Sequence, residues 1–489
     1  MNYIFSSIAT MVACAIFLII AIINIAMEYR RDLLMLQQNS YRPERYMKWL
    51  RTSGDTTSVI RILSYACVLA LASPDIRIIL TGIAGFTIIS LCNICILARK
   101  KYKKPLVWTA RAKRIYATIW LETITITVIA QVIADSSVFA TIFMIALSYA
   151  ASHILTLGAI YILKPVETAI NRKYYHEASE ILRSIPDLKV IGITGSYGKT
   201  STKHYLERIL TEQFNVLITP GSYNTTMGVI RTVREMMKPY TEVFICEMGA
   251  KNIGDIKEIC DLVHPEAGII TAVGEQHMES FKTIENVQRT KFELADSLSA
   301  DGTIYVNADF PYAANRPTSN CNLVLYSTRD NDAATWKAIT VKPTPEGTHF
   351  TLSTPVGEYE FFTHLLGEFN ISNLIPAIAL SYSLGMSMDV IARAVAAIEP
   401  VEHRLSLKRT PGGITILDDA FNSNPDGSRM ALDVLSKMTG GQRIIITPGM
   451  IELGERQFEL NRQFGQHIAE SVDYAIIVGK YNREAILDG

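Results

Sequence analysis

The chain has no net charge with which to attract a polyanion: 47 lysines and arginines stand against 47 aspartates and glutamates. That balance gives no reason to expect a nucleic-acid partner. Charge is scarce altogether, at 19% of residues where soluble proteins carry roughly 25%. The deficit is concentrated in the first third of the chain. Cysteine is sparse too. Cys14, Cys67, Cys92, Cys95, Cys246, Cys260 and Cys321 are scattered, which suggests no disulfide framework and fits a reducing compartment. Cys92 and Cys95 form a CxxC in an apolar helix with no second ligand pair, so they read as lipid-facing or packed thiols rather than zinc ligands. There is no internal repeat and no low-complexity tract. The first apolar run lacks a basic segment ahead of it and is too long for a secretory signal. A length of 489 residues exceeds one ordinary core, so about two to four domains are expected.

What the chain does have is apolar length. About 20 apolar helical residues cross a hydrocarbon core. The stretches Tyr3–Met27, Ile78–Ala98, Ile115–Ala134 and Ser136–Leu163 meet this, and Thr57–Ser73 meets it if Arg61, near its start, snorkels to the interface. Basic residues crowd two intervening loops. Arg30, Arg31, Arg42, Arg45, Lys48 and Arg51 lie in 28–56; Arg99, Lys100, Lys101, Lys103, Lys104, Arg111, Lys113 and Arg114 lie in 99–114. The connections Pro74–Arg77 and Asp135 are nearly bare of positive charge. Basic loops stay cytoplasmic, so about five transmembrane helices are expected in 1–165, with the N-terminus outside and everything after Lys164 in the cytoplasm. Glu122, inside the fourth span, reads either as a functional intramembrane carboxylate or, more simply, as one near the interface, protonated, or paired with Arg61.

From Val166 to Ser184 the pattern is amphipathic and mixed in charge, a linker helix over 166–186 that Pro186 ends. After it, Val190–Thr194, Val243–Cys246, Ala267–Thr271 and Thr303–Asn307 read as strands alternating with helices, the pattern of a parallel sheet with crossover helices. A hairpin-like stretch, Trp336–Leu366, interrupts this. A second alternation follows with Ile414–Leu417, Arg443–Thr447 and Tyr474–Val478. The expected fold class is therefore an N-terminal transmembrane α-helical bundle followed by α/β: a central phosphate-loop domain with a parallel sheet over 187–400, then a Rossmann-like domain over 401–489.

The strand Val190–Thr194 runs into Gly195-Ser-Tyr-Gly198-Lys199-Thr200-Ser201 and then a helix through Leu210. Small residues let backbone N–H groups approach phosphate oxygens, and a helix start favours the anion. Lys199 would neutralise β/γ charge and Thr200 would ligate Mg²⁺. Gly195, Ser196, Gly198, Lys199, Thr200 and Ser201 are thus the candidate triphosphate residues. The strict Walker A spacing asks for glycine at 193, where Ile193 stands, and there is no second phosphate loop. Both absences argue against a transporter ATPase.

The loop is followed in order by Thr219-Pro-Gly-Ser-Tyr-Asn-Thr-Thr-Met-Gly228, Cys246-Glu-Met-Gly-Ala250, Gly274-Glu-Gln-His-Met278, Val287-Gln-Arg-Thr-Lys291, Gly367-Glu-Phe-Asn-Ile-Ser-Asn373, His403-Arg404, Asp419-Ala-Phe-Asn-Ser-Asn-Pro425 and Pro448-Gly-Met-Ile-Glu-Leu-Gly454. Together with TGSYGKTS this set resembles the Mur ligases, over roughly Leu188 to Val478. The last motif is similar to the branch that adds D-alanyl-D-alanine to a UDP-linked muramoyl tripeptide. The resemblance implies an ATP-dependent, ADP-forming amide ligase of bacterial peptidoglycan synthesis. In such enzymes the γ-phosphate passes to an acceptor carboxylate, and an amine attacks the acyl phosphate. The partners implied are a small-molecule or lipid-linked peptidoglycan precursor and D-alanyl-D-alanine, with membrane lipid around the spans and the ligase part on the cytoplasmic side of the inner membrane.

Site roles follow from the same resemblance. Glu247, at a strand's C-terminal edge where such sheets bind ligands, would hold a first Mg²⁺ with Thr200. By position alone it also reads as a helix cap or surface carboxylate. His277 would ligate a second Mg²⁺, although a lone histidine is by itself more often structural. Lys291, by position a solvated lysine on a helix Ile284–Leu298, would carry a CO₂-derived carbamate as a ligand of that second ion. This needs a neutral amine and hence a depressed pKa. Catalysis would thus rest on Lys199, Glu247, His277 and Lys291. Asn370 and Asn373 match nucleotide-contacting asparagines, with Phe369 where many relatives have histidine. Arg404 would reach phosphate and Asp419 the ribose edge, from across a domain interface that closes over the site. Asn224 and Thr225 would lie near the acceptor, and Ser222 stands where an asparagine is common.

Two departures qualify the match. The spans occupy the place of the small α/β domain that grips the UDP-sugar, which makes a lipid-linked acceptor plausible. Only about 80 residues follow Arg409, short of a usual doubly wound domain, so an incomplete C-terminal domain is expected. A Mur-type ligase acting on another carboxylate, such as a polyglutamate or a lipid-linked stem, and a membrane scaffold retaining a non-catalytic nucleotide module are the competing readings.

Overall fold

Helix formation at the start of the chain follows from unbroken apolar sequence free of glycine and proline punctuation. A computed structural model describes residues 8–102, 104–134, 138–329, 331–344, 347–420 and 423–489. Tyr3–Ser7, Ser136 and Ser137 of the expected spans, Lys103, Asp135, Pro345 and Glu346 of the hairpin stretch and the Phe421-Asn422 pair of the seventh motif therefore lie outside the described residues. The chain divides into two compact units, one up to Arg172 and one from Lys173.

The first unit consists of α1 (Ile8–Gln38), α2 (Pro43–Ser53), α3 (Val59–Leu71), α4 (Ile76–Arg99), α5 (Ala110–Ile133), α6 (Val138–Ala150) and the start of α7 (Ser152–Arg183). One face of α1, through Phe17, Ala21, Ile25, Tyr29, Leu33 and Leu36, is buried at the spacing of a helix stripe. Its opposite face is also apolar but exposed, with Val12, Ile16 and Ile19 each more than half accessible. The outward faces of α4 and α5 repeat this, in Leu80, Ile88, Leu121, Ile124, Val132 and Ile133. By length and composition α4, α5 and α7 are long and apolar enough to cross a membrane, whereas α3 and α6 are shorter apolar helices. The expected fifth span is not one helix: it breaks at Ala151, and α7 then runs without interruption through Pro165 into the stretch read as a separate linker.

Inside this apolar unit lies a polar network. Arg61, 1% exposed, pairs with Glu28 and donates to the Tyr149 carbonyl and Ser152 Oγ. Arg31 joins Glu28, Asp32 and Asp55, and His153 sits between Asp32 and Asp55. Asn93 donates to Glu28 and to Asn24, which in turn donates to Ser90. The pairing of Glu122 with Arg61 is thus corrected: Glu28 takes the guanidinium, and Glu122 lies against Gly158 of α7 with Oε1 unpartnered.

The second unit is built on one nine-stranded sheet. Its strands are β1 (Lys189–Thr194), β2 (Val216–Ile218), β3 (Val243–Glu247), β4 (Ala267–Ile270), β5 (Thr303–Asn307), β6 (Asn322–Ser327), β7 (Trp336–Thr344), β8 (Gly347–Thr354) and β9 (Gly357–Thr363), in the order 2-3-1-4-5-6-7-8-9. The pairs from β2 to β7 are parallel, while β7–β8 and β8–β9 are antiparallel. The sheet is therefore mixed rather than parallel throughout, because the hairpin stretch extends it instead of interrupting it. Alternation along β1 and β3 sends Ile191, Ile193, Val243 and Ile245 to one face, against α8 (Lys199–Leu210). Val190, Phe244 and Cys246 go to the other, against α9 (Thr226–Met236), α10 (Asp255–Val263) and, after the short α11 (Met278–Phe281), α12 (Ile284–Asp296). The loop after β1 therefore opens at the C-terminal edge where helices leave to opposite faces, the place such sheets bind ligands.

Beyond α13 (Pro311–Ala314), α14 (Glu368–Ser383) and α15 (Met388–Ala396) cover the α8 face. The remainder carries β10 (Ser406–Arg409), β11 (Thr415–Asp418), α16 (Pro425–Ser436), β12 (Ile444–Thr447), α17 (Gln457–Ser471), β13 (Tyr474–Ile477) and α18 (Arg483–Asp488). There β12 and β13 pair in parallel, and β11 forms an antiparallel ladder with β10 instead of opening the second alternation.

Removing one partner of a buried ion pair leaves an uncompensated charge. Arg61→Ala is accordingly expected to destabilise the first unit by on the order of 3–5 kcal/mol, and the joint change Glu28→Gln with Arg61→Met to recover most of it. Thermal unfolding of the purified full chain measures both; an unchanged midpoint in Arg61→Ala would remove the network from the unit's stability.

Candidate active site

Two glycines shape the loop after β1. Gly195 has φ +147° and Gly198 φ +80°, conformations that L side chains rarely adopt. A Cβ on Gly195 would run into Thr271 Oγ1 and come within 2.9 Å of the Ala272 nitrogen; one on Gly198 would collide with Asn373 Oδ1. The loop then turns into α8, whose first residues are Lys199 and Thr200. Lys199 folds back to donate to the Gly195 carbonyl at 2.6 Å. Enclosure pulls its ammonium down to about 8, with Arg404 reinforcing and Glu247 opposing the shift.

Glu247 ends β3, 1% exposed. Its Oε2 accepts from Thr200 Oγ1 at 3.1 Å and Lys203 Nζ at 3.0 Å, its Oε1 accepts from Asn224 Nδ2 at 3.1 Å, and its backbone N–H donates to Thr219 Oγ1. Burial alone would raise this carboxyl; Lys203 foremost, then Lys199 and Asn224, hold it below the ordinary glutamate range. Lys203 also donates to the Thr219 and Gly221 carbonyls, each at 2.8 Å, so one ammonium ties the loop after β2 to the end of β3.

From the C-terminal side, Arg404 Nη2 reaches Thr200 Oγ1 at 3.3 Å. Asp419 accepts from the Leu405 N–H, and burial raises it to about 6. His277, at φ +54°, has Nδ1 2.5 Å from Glu452 Oε2. That contact, then Lys251, pulls Glu452 down to about 2 against burial. Lys291 on α12 is 2% exposed and makes no hydrogen bond or ion pair among the described residues. Burial, then the charge of Lys199, depresses its amine well below the lysine range.

A cavity of about 140 Å³ gathers Ser196, Gly198, Lys199, Thr200, Ser201, Asn224, Glu247, His277, Asn370, Arg404 and Asp419 on its wall. Gly195, Thr225, Lys291 and Asn373 are not on that wall. Thr225 caps α9 by accepting from the Gly228 N–H. Asn373 sits beneath Gly198, accepting from Thr202 Oγ1 with its Nδ2 unpartnered. Asn370 lines the cavity, but both its polar atoms are occupied, by Tyr205 and the Leu366 carbonyl. Tyr197, Phe369, Leu405 and Met430 also line a second cavity of about 1430 Å³, which continues between the sheet and α16.

Sequence reasoning missed Lys203 and Glu452. Lys203 lies four residues after Lys199, hence on the same helix face, and that spacing was available. Nothing in the sequence tied Glu452 to His277, 175 positions away.

Residues 193–381 match the Mur ligase middle domain and 403–488 the Mur ligase, glutamate ligase domain. The UDP-N-acetylmuramoyl-tripeptide–D-alanyl-D-alanine ligase of Escherichia coli (strain K12) is 30% identical over 337 residues, covering 66% of this chain and 73% of that relative. The chain belongs to the Mur ligase family. The ligase of the same name from Bacillus subtilis (strain 168) is 31% identical over 294 residues, 60% of this chain; the chain spans 63% of that relative's length. Among solved structures, MurF from Acinetobacter baumannii aligns with a TM-score of 0.60 at 25% identity, covering 64% of this chain and 68% of that one. The Mur ligase match begins at residue 193, so the first unit lies outside it.

Lys203→Met is predicted to strip the buried Glu247 of its nearest cation and to cost on the order of 3–5 kcal/mol in the second unit. Denaturant titration of the full chain checks this; a loss of less than about 1 kcal/mol, the scale of an exposed pair, would contradict the buried-pair account.

Proposed function

We propose that this chain is an ATP-dependent, ADP-forming ligase that joins D-alanyl-D-alanine to the tripeptide of a muramoyl precursor in peptidoglycan synthesis. One observation carries the reading: a phosphate loop, the strand-end carboxylate Glu247, His277 and the incoming Arg404 share one small polar cavity. Such a cavity suits the crowding of phosphate and carboxylate that acid activation demands.

In the proposed reaction, a carboxylate oxygen of the tripeptide attacks the γ-phosphorus of ATP; an O–P bond forms, the β,γ bridge breaks and ADP leaves. The amine of D-alanyl-D-alanine then attacks the acyl carbon. A C–N bond forms, the C–O bond to phosphate breaks, and inorganic phosphate and a proton depart. The backbone of Ser196–Ser201 and the charges of Lys199 and Arg404 hold the triphosphate and oppose its negative charge. Asn224, bonded to Glu247 on the cavity wall, is assigned to the acceptor.

Magnesium fits the donors present. Thr200 Oγ1 and Glu247 Oε2, 3.1 Å apart, are hard oxygen donors of the kind Mg²⁺ takes, and His277 with Lys291 as a carbamate would hold a second ion. Bound there, the ions would supply charge neutralisation for phosphoryl transfer. A neutral amine adds CO₂ with loss of one proton, and burial without a partner shifts Lys291 toward that neutral form, which supports the carbamate. Asn373 and Asp419 are assigned to the nucleoside.

The first unit is assigned to a bacterial inner membrane, with the ligase part cytoplasmic. The apolar outer faces of α4 and α5 support this, since a helix apolar all round needs an apolar surrounding. The basic segments 28–56 and 99–114 support the orientation. The same apolar unit favours a second reading for the acceptor, a lipid-linked muramoyl tripeptide.

Mass analysis of products from ATP and D-alanyl-D-alanine, with UDP-muramoyl tripeptide in one arm and its lipid-linked form in the other, tests both readings. A pentapeptide product is expected, and no ADP release in either arm would refute the ligase. Lys291→Ala is expected to lose most activity and to regain part of it with added short carboxylates. Full activity without them would refute the carbamate.

A further inference from the structure

We infer that Glu452 is a positioning residue that fixes the imidazole of His277 and thereby makes cation affinity at His277 depend on docking of the C-terminal part of the chain. The inference rests on the reading of His277 as a metal ligand. It adds a residue that acts only through His277.

The geometry begins with the turn Pro448–Gly454. Glu452 has φ +63°, a left-handed conformation that a glutamate adopts only when its surroundings hold it there. Those surroundings are explicit. Asn461, fully buried on α17, accepts from the Met450 N–H and donates to the Met450 carbonyl. Gln457 accepts from the Leu453 N–H at 3.1 Å. Asn482, 4% exposed, donates to the Pro448 and Met450 carbonyls. Met450 and Leu453, the apolar residues flanking the tip, are buried in the C-terminal core. Both sides of Glu452 are thus clamped to α17 and the start of α18, while its own side chain, 40% exposed, leaves the domain that holds it.

That carboxylate meets two residues of the central domain, His277 Nδ1 at 2.5 Å and Lys251 Nζ at 3.4 Å. His277 is itself at φ +54°, and the residues after it form α11. A Cβ on Gly454 would lie in ordinary van der Waals contact with the α11 backbone, 3.4 Å from the Glu279 nitrogen, so the turn runs close to α11 beside the contact. Arg456 pairs with Glu275 two residues before His277. A rigid turn therefore presents one carboxylate to one histidine.

The consequence is chemical. A neutral imidazole whose Nδ1–H is given to a carboxylate keeps its lone pair on Nε2, and that hydrogen bond fixes both ring orientation and ligand basicity. Nε2 of His277 has no partner among the described residues, and His277 lines the cavity that holds Lys199, Thr200 and Glu247. Docking of Glu452 thus orients the ligand atom, and by linkage a cation on Nε2 strengthens the docking.

Mn²⁺ binding to the full chain with ADP and no acceptor, followed by electron paramagnetic resonance, tests this. Glu452→Ala is expected to weaken one Mn²⁺ site by about 10–100-fold, and Glu452→Gln, which keeps an acceptor oxygen in place, to restore part of the loss. In ATP turnover Glu452→Ala should raise the half-saturating Mn²⁺ concentration and keep its rate at saturating metal. Mn²⁺ should slow amide hydrogen exchange across 449–456 in the parent chain and have no such effect in Glu452→Ala. Unchanged Mn²⁺ affinity in Glu452→Ala, with the site lost in His277→Ala, overturns the positioning role and leaves the metal reading intact. If His277→Ala also binds Mn²⁺ as the parent does, the reading of His277 as a ligand falls, and the positioning role with it.

Discussion

Glu247 is the charge around which the ligase unit is arranged. A carboxylate taken out of water loses several kcal/mol of solvation unless cations and donors replace it. Here the replacements are three side chains: Lys203 and Thr200 on α8, and Asn224 from the loop after β2. Each of these is thereby positioned. α8 is held with its first turn against the strand end, the loop 219–224 is drawn in by Lys203, and the hydroxyl of Thr200 is aimed at the carboxylate. The phosphate loop lies immediately ahead of that turn, so its backbone is fixed by the same contacts.

The two units solve the problem of buried charge differently. In the second, a single carboxylate is surrounded by donors and opens onto a cavity, which leaves it available for chemistry. In the first, Glu28, Asp32 and Asp55 are balanced by Arg31, Arg61 and His153 in a network that ties α1, α3, α4 and α7. Its members mostly satisfy one another. A clamp between apolar helices, where directional contacts are few, is what such a network provides.

The larger features of the fold were legible because they depend on local pattern. Short apolar, β-rich runs placed β1 and β3, and glycine spacing placed the phosphate loop. Unbroken apolar runs placed α4 and α5. Where local pattern has two continuations it failed. The stretch Trp336–Leu366 looked like an interruption, yet β7 pairs in parallel with β6 and carries two antiparallel strands into the same sheet. Ser136–Leu163 read as one span, yet the backbone breaks at Ala151, since apolar composition does not say where a helix ends. The pairing of Arg61 with Glu122, one of the alternatives left open for that carboxylate, failed for a related reason: within an apolar unit, sequence shows which charges need partners but not which are adjacent.

The sequence by itself determined the chemistry available: a phosphate loop, a strand-end glutamate, a histidine and a lysine in family order, and an apolar first third. Side-chain type and short-range spacing are enough for that, because they are fixed by covalent order. Only the tertiary structure decided which groups share a space. It put Lys199, Glu247, His277 and Arg404 on one wall and left Lys291 and Asn373 off it. It also brought Glu452 to His277 and Lys203 to Glu247. Those pairings depend on how the sheet, its helices and the C-terminal turn close on one another, and an interaction that falls off within a few ångströms carries no mark in the linear order of the residues.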